Sequence, residues 1–149
     1  MAVPEAGDSA ILGRKSEPHS GGVVNEMPAF RLSGIVLDAP DARELADFYR
    51  RLLGWEVGQD EPEWVTLVSP EGGAGLSFQG DSDYVPPVWP AEMGAQQMMM
   101  HLDIAVVDLA EASSHAQRCG ATLAAFQPQE DVRVHLDPAG HPFCLFLGA

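Results

Sequence analysis

The chain has 149 residues, 46% hydrophobic and 20% charged, the balance of a folded domain with a sizeable core. Its formal net charge of −14 argues against a nucleic-acid or anionic-membrane partner, because each of those surfaces needs a basic patch. Two cysteines, Cys119 and Cys144, are too few for a disulfide scaffold and point to a reduced, cytoplasmic setting.

Residues 1–29 are rich in Gly, Ser, Pro and Glu and lack periodicity, so a flexible N-terminal extension is expected there. The alternative is an arm that docks on a neighbouring subunit through Ile11-Leu12 or Val23-Val24. The first residues lack the basic start and apolar run of a secretory signal. No stretch approaches the roughly 20 apolar residues needed to cross a bilayer. Leu32–Leu37 is a short branched apolar run and predicts a strand. Asp41 then caps a helix, with Glu44 three residues on as in a capping box. Leu45, Phe48, Tyr49 and Leu52 form its apolar stripe, and Gly54 supplies the stop. Trp55–Val57, Trp64–Val68 and Gly75–Gln79 read as strands, the last two joined by the turn Ser69-Pro-Glu-Gly-Gly73.

Residues 81–97 form a connector whose run Asp83-Tyr-Val-Pro-Pro-Val-Trp-Pro90 is semi-rigid. Tyr84 and Trp89 there are either the contact residues of a lid over a pocket or plugs in the seam between two halves. Met98–Val106 predicts the next strand. Asp108 caps a second helix with a stripe of Leu109, Ala112, Ala116 and Cys119, and Gly120 ends it. Leu123–Phe126, Val132–Leu136 and Phe143–Leu147 complete the strands.

The second half thus repeats the first. The offset is 67 residues for Asp41/Asp108 and Glu44/Glu111, 66 for Gly54/Gly120, and 68 for the turns around Pro70 and Pro138. Such constancy implies an internal duplication. The expected fold is α+β: two βαβββ units, residues 30–80 and 98–149, forming a cupped, mostly antiparallel sheet with flanking helices.

Strand alternation places Met99, His101 and Asp103 on one face. Gly34, Val36 and Asp38 share the corresponding face of the first strand. Gly75, Ser77 and Gln79 do so on the fourth, and Pro142, Cys144 and Phe146 on the last. A His and an Asp two residues apart make a general base or a ligand anchor, with a structural hydrogen bond as the alternative. His135 reads as a surface or inter-strand histidine, and His141 as a turn residue. Trp64, Phe78, Tyr84 and Trp89 are the aromatics expected to stack on a flat guest. The sequence carries no Walker loop, nucleophile elbow or CxxC knuckle.

Four phrases carry a resemblance: Gly34-Ile-Val-Leu-Asp-Ala-Pro-Asp41, Asp47-Phe-Tyr-Arg-Arg-Leu-Leu-Gly54, Met100-His-Leu-Asp-Ile-Ala-Val-Val-Asp108 and Asp137-Pro-Ala-Gly-His-Pro-Phe-Cys-Leu145. With the doubled element order, they resemble the vicinal oxygen chelate superfamily, the glyoxalase and bleomycin-resistance fold. The resemblance implies two half-barrels facing each other around a cup. In metal-using members one ligand comes from the first and one from the last strand of each unit, which here fall on Gly34, Ser77, His101 and Cys144. Only His101 is of the expected type, so no metal site is expected; any divalent ion would sit near His101. The implied function is metal-independent binding of a small organic molecule, cationic or aromatic, by Ser77, Gln79, Tyr84, Trp89, Met99, His101 and Cys144. The alternative is a lyase, isomerase or dioxygenase using the same cup, with His101 as metal ligand or general base and Asp103 as its partner. A homodimer is also expected, because curved half-barrels leave strand edges for a second copy to cover.

Overall fold

A computed structural model describes residues 28–148; the expected arm residues Ile11-Leu12 and Val23-Val24 lie outside the described residues. In chain order the elements are β1 (Gly34–Ala39), α1 (Ala42–Leu53), β2 (Glu56–Glu61), β3 (Trp64–Val68), β4 (Gly75–Gly80), β5 (Leu102–Val106), α2 (Leu109–Cys119), β6 (Thr122–Leu123), β7 (Val132–Leu136) and β8 (Pro142–Leu147). They form two four-stranded sheets of the same design, ordered β1-β4-β3-β2 and β5-β8-β7-β6. In each, the first strand runs parallel to the last and the remaining neighbours are antiparallel. This is the α+β duplication expected from the sequence.

Both helices start and stop where local chemistry dictates. The Asp41 carboxylate accepts the backbone N–H of Arg43 and Glu44, and Asp108 accepts that of Glu111, satisfying N–H groups a helix start leaves unpaired. Gly54 and Gly120 end the helices at φ 71° and 116°, a left-handed conformation that costs glycine little.

Several strand boundaries differ from the sequence reading; β2 runs over Glu56–Glu61 rather than Trp55–Val57, paired antiparallel with β3 to its end. β1 starts at Gly34 rather than Leu32. β6 is confined to Thr122–Leu123 rather than Leu123–Phe126. The reason lies in Gln127, whose amide donates to the carbonyls of Ala124 and Val134 while its oxygen accepts the Val134 N–H at 2.8 Å. That side chain occupies the backbone groups a longer ladder would need. β5 begins at Leu102 rather than Met98, because Met99 adopts φ 58° and the Met100 N–H turns back to the Met98 carbonyl.

One apolar core joins the halves within the chain. α1 buries Ala42, Leu45, Ala46, Phe48 and Tyr49. Phe48 packs on Phe143 of β8 with ring centroids 6.0 Å apart, and Tyr49 stacks on Phe78 of β4 at 5.6 Å. A single helix face from the first half therefore covers strands of both.

A buried polar cross-link reinforces that joint. Tyr49 donates its hydroxyl to Asp137 Oδ2 at 2.9 Å, across the two halves. The same carboxylate accepts the backbone N–H groups of Ala139 and His141 and faces His141 Nδ1 at 2.8 Å. Tyr84 donates to the Ala139 carbonyl at 2.8 Å and lies 3.1 Å from His141 Nε2. His141 is thus more than a turn residue: its ring bridges the turn carboxylate and the connector.

Candidate functional site

Alternation on β1 and β5 separates a helix-facing side from an outward side. On β5, Leu102, Ile104 and Val106 are half-buried while Asp103 and Ala105 are exposed. On β1, Val36 and Asp38 are the exposed pair. Register completes the outward rows: Val36 opposes Ser77, Asp38 opposes Gln79, and Asp103 opposes Cys144. Residues in register share a face, so these pairs stand side by side.

The densest chemistry lies on the outward face of the second sheet. His101 Nε2 sits 3.1 Å from Asp103 Oδ1, with both side chains partly open to solvent. One donor atom each from His101, Asp103 and Cys144 falls within 4.8 Å of the others. Asp103 is the hub: parallel pairing of β5 with β8 sets the Cys144 thiol beside its carboxylate, and the imidazole reaches it from just before the strand. Burial first, and the neighbouring Asp103 carboxylate second, raise the Cys144 thiol above its ordinary pKa. A thiol so placed is a neutral hydrogen-bond donor, since reactive thiolates need electropositive surroundings. The three groups border a recess of about 290 Å³ whose rim includes Gln129, Asp131 and Phe146.

The other sequence candidates do not join this cluster. Ser77 and Gln79 lie on the outward face of the first sheet, while the walls of the His101 recess come from the second half. Met99 precedes β5 and is 84% exposed, so alternation does not carry it to the face of His101 and Asp103. Its left-handed backbone breaks the strand geometry on which that expectation rested. Trp89 donates its indole N–H to the Phe126 carbonyl at 3.3 Å and so packs on the segment that runs on to Gln129 and Asp131. The Tyr84 hydroxyl is engaged by Ala139 and His141, and burial foremost raises its pKa. Phe78 is fully buried against Tyr49 and offers no stacking face. Trp64 stands in register with Gln79, half-buried, and donates its indole N–H to Gln59 at 3.2 Å.

His135 departs furthest from its sequence reading. It is wholly buried on the helix side, stacked on Phe143 at 5.4 Å and 3.0 Å from the Ser113 hydroxyl of α2. Its Nδ1 faces the Arg133 carbonyl at 3.3 Å. A carbonyl only accepts, so Nδ1 carries the proton and Nε2 takes the serine hydroxyl. Burial lowers the pKa of this neutral imidazole. Of the surface or inter-strand placements expected, the surface one fails, because Ser113, its partner, comes from a helix that sequence spacing does not link to β7.

The family model described as "Glyoxalase-like domain" matches residues 34–146. Among solved structures, a glyoxalase/bleomycin resistance protein/dioxygenase family enzyme from Burkholderia phytofirmans PsJN is 18% identical at a TM-score of 0.59, covering 78% of this chain and 97% of its own. A glyoxalase-related enzyme from Fulvimarina pelagi is 19% identical at 0.57, covering 79% and 88%. A possible glyoxalase from Bacillus cereus is 11% identical at 0.58, covering 79% and 99%. No curated protein matches the chain in sequence. Among the described residues, no helix is long and apolar enough to cross a membrane.

Proposed function

The chain belongs to the glyoxalase-like domain family, and from that premise we propose that it binds a small organic molecule on the outward face of its second half, anchored by His101, Asp103 and Cys144 without a metal ion. The observation that carries this reading is the convergence of three unlike polar groups on one exposed recess. Binding sites take this form: a few convergent polar atoms in a concavity. The neutral thiol and the imidazole offer hydrogen bonds, and the carboxylate selects a ligand that donates. Gly34 and Ser77, the first-half positions that correspond to ligands in metal-using relatives, contribute no strong ligand, which supports a metal-independent role. The test is a thermal-shift screen of metabolite and drug-like compounds on chelator-treated protein and its His101→Ala variant. Hits that raise Tm in the parent and not in the variant are expected. Hits indifferent to His101, Asp103 and Cys144 alike would overturn the assignment.

The donor set itself favours a second reading. Imidazole, carboxylate and thiol within 4.8 Å of one another suit zinc in a three-ligand site that keeps a position open. His101, Asp103 and Cys144 would hold the ion, and it would supply Lewis-acid chemistry to a bound carbonyl or water. Cys144 must lose its proton to bind, so affinity would rise with pH and binding would release protons. Stoichiometric zinc retention after dialysis, lost in His101→Ala, would replace the metal-free reading with this one. Without an ion, the His101–Asp103 pair has the arrangement of a base held by an orienting carboxylate, which keeps a lyase or isomerase activity within reach of the same screen.

A further inference from the structure

A second recess, of about 490 Å³, runs along the free edge of β5. β5 ends its sheet, and four consecutive residues, Leu102 to Ala105, line the recess, so its wall is the strand's edge. The facing wall comes from the first half. Ile35, Leu53, Trp55 and Leu76, with Leu102 and Ile104, give it an apolar lining, and all but Leu76 are only partly buried. Asp103 belongs to the walls of both recesses. A polar pocket and an apolar slot thus meet at one acidic residue. Glu71, on the turn between β3 and β4, is the slot's other acid.

The geometry points to a cationic amphiphile as the ligand: an organic ammonium whose head lies against Asp103 and whose apolar tail occupies the slot between β5 and the first half. This rests on the small-molecule reading above and names the ligand class for it. The slot volume lies within the roughly 300–1,000 Å³ of sites that engulf drug-sized ligands. The two acidic residues that line the slot, Glu71 and Asp103, disfavour an anionic head, and the net charge of −14 draws cations in at long range. The partly exposed walls are the apolar area that a tail would remove from water.

The test is calorimetric titration with n-alkylammonium chlorides from butyl to decyl, alongside alcohols and carboxylates of matched length. Affinity is expected to rise about fourfold per methylene until the slot is full, at one ligand per chain. Ammonium heads should bind at least about tenfold tighter than alcohols, and Asp103→Asn should abolish that difference. Ala74→Phe, which places a ring against the slot, should shorten the best chain length and leave the ammonium preference intact. Affinity independent of chain length, carboxylates binding as well as ammonium ions, or indifference to Ala74→Phe would each overturn the inference. So would a dimer that Leu102→Glu dissociates in a protein that binds no ammonium, because the slot then belongs to a second copy. The two levels separate cleanly. Ligands that need His101 yet ignore Ala74→Phe sink the slot and keep the site, whereas the absence of any His101-dependent ligand sinks the site itself.

Discussion

Replacing Tyr49 by phenylalanine removes one atom from the joint between the halves. The ring keeps its edge contact with Phe48 at 4.8 Å and its stack on Phe78 at 5.6 Å, so packing is spared. The hydroxyl's 2.9 Å bond to the buried Asp137 carboxylate is lost. A hydrogen bond to a charged group contributes about 1.5–3 kcal/mol. Asp137 retains His141 and two backbone donors, which places the expected loss near the lower end, about 2 kcal/mol. For a domain of this size that is a fall in Tm of roughly 4–8 °C, read by calorimetry. The alkaline limb supplies a second readout. Burial, with Asp137 next, raises the Tyr49 pKa well above its usual 10.0. A raised folded-state pKa means the contribution is complete below pH 10.0 and is lost as pH climbs above it. The parent should therefore lose stability above that pH more steeply than Tyr49→Phe. A Tm change under about 1 °C, with parallel alkaline limbs, would refute the claim that this bond ties the halves together.

Two further outcomes follow from buried groups. His135 is held neutral by burial, its pKa below the usual 6.5, so its contribution is present above that pH and is lost as pH falls through its lowered folded value. His135→Leu should flatten the acid limb of the Tm-against-pH curve, and Ser113→Ala should cost about 1–3 kcal/mol by orphaning Nε2. Identical acid limbs in parent and His135→Leu would refute it. At Gly75 an added Cβ would lie 2.5 Å from the Leu67 backbone oxygen, whereas at Gly34 its nearest neighbour would be the Gly75 oxygen at 3.6 Å. Gly75→Ala should therefore cost about 2 kcal/mol in chemical denaturation and Gly34→Ala far less; equal costs would contradict the register of β3 and β4.

The sequence disclosed whatever depends on near neighbours. Asp41 and Asp108, each followed three residues later by a glutamate, marked both helix starts, and Gly54 and Gly120 marked the ends. The spacing of His101 and Asp103 was enough to suggest a pair. What escaped was long-range or idiosyncratic. Gln127 ends β6 by bonding a strand that lies beyond it in the chain, and no periodicity encodes that. Met99 takes a left-handed conformation that a run of three methionines gives no reason to expect. His135 finds Ser113 22 residues away, and Asp137, besides its neighbour His141, finds Tyr49 88 residues away, so their burial is legible only once helix and strands are packed.

The two halves of the duplication differ most in the side chains of their outward faces. On the helix-facing side both halves must fill one core, and Phe48, Tyr49, Phe78 and Phe143 interlock there with little room for change. The outward rows are more open, with Val36, Asp38 and Asp103 exposed. The first presents Asp38, Trp64, Ser77 and Gln79, and the second His101, Asp103 and Cys144. Gly34 shows that packing did not force the difference: a side chain there would meet only ordinary contacts, so a fifth polar group was sterically available to the first face. A symmetric pair of faces would suit a symmetric ion site fed by both halves. An acidic, aromatic face beside an imidazole–carboxylate–thiol cluster suits a guest with two unlike ends.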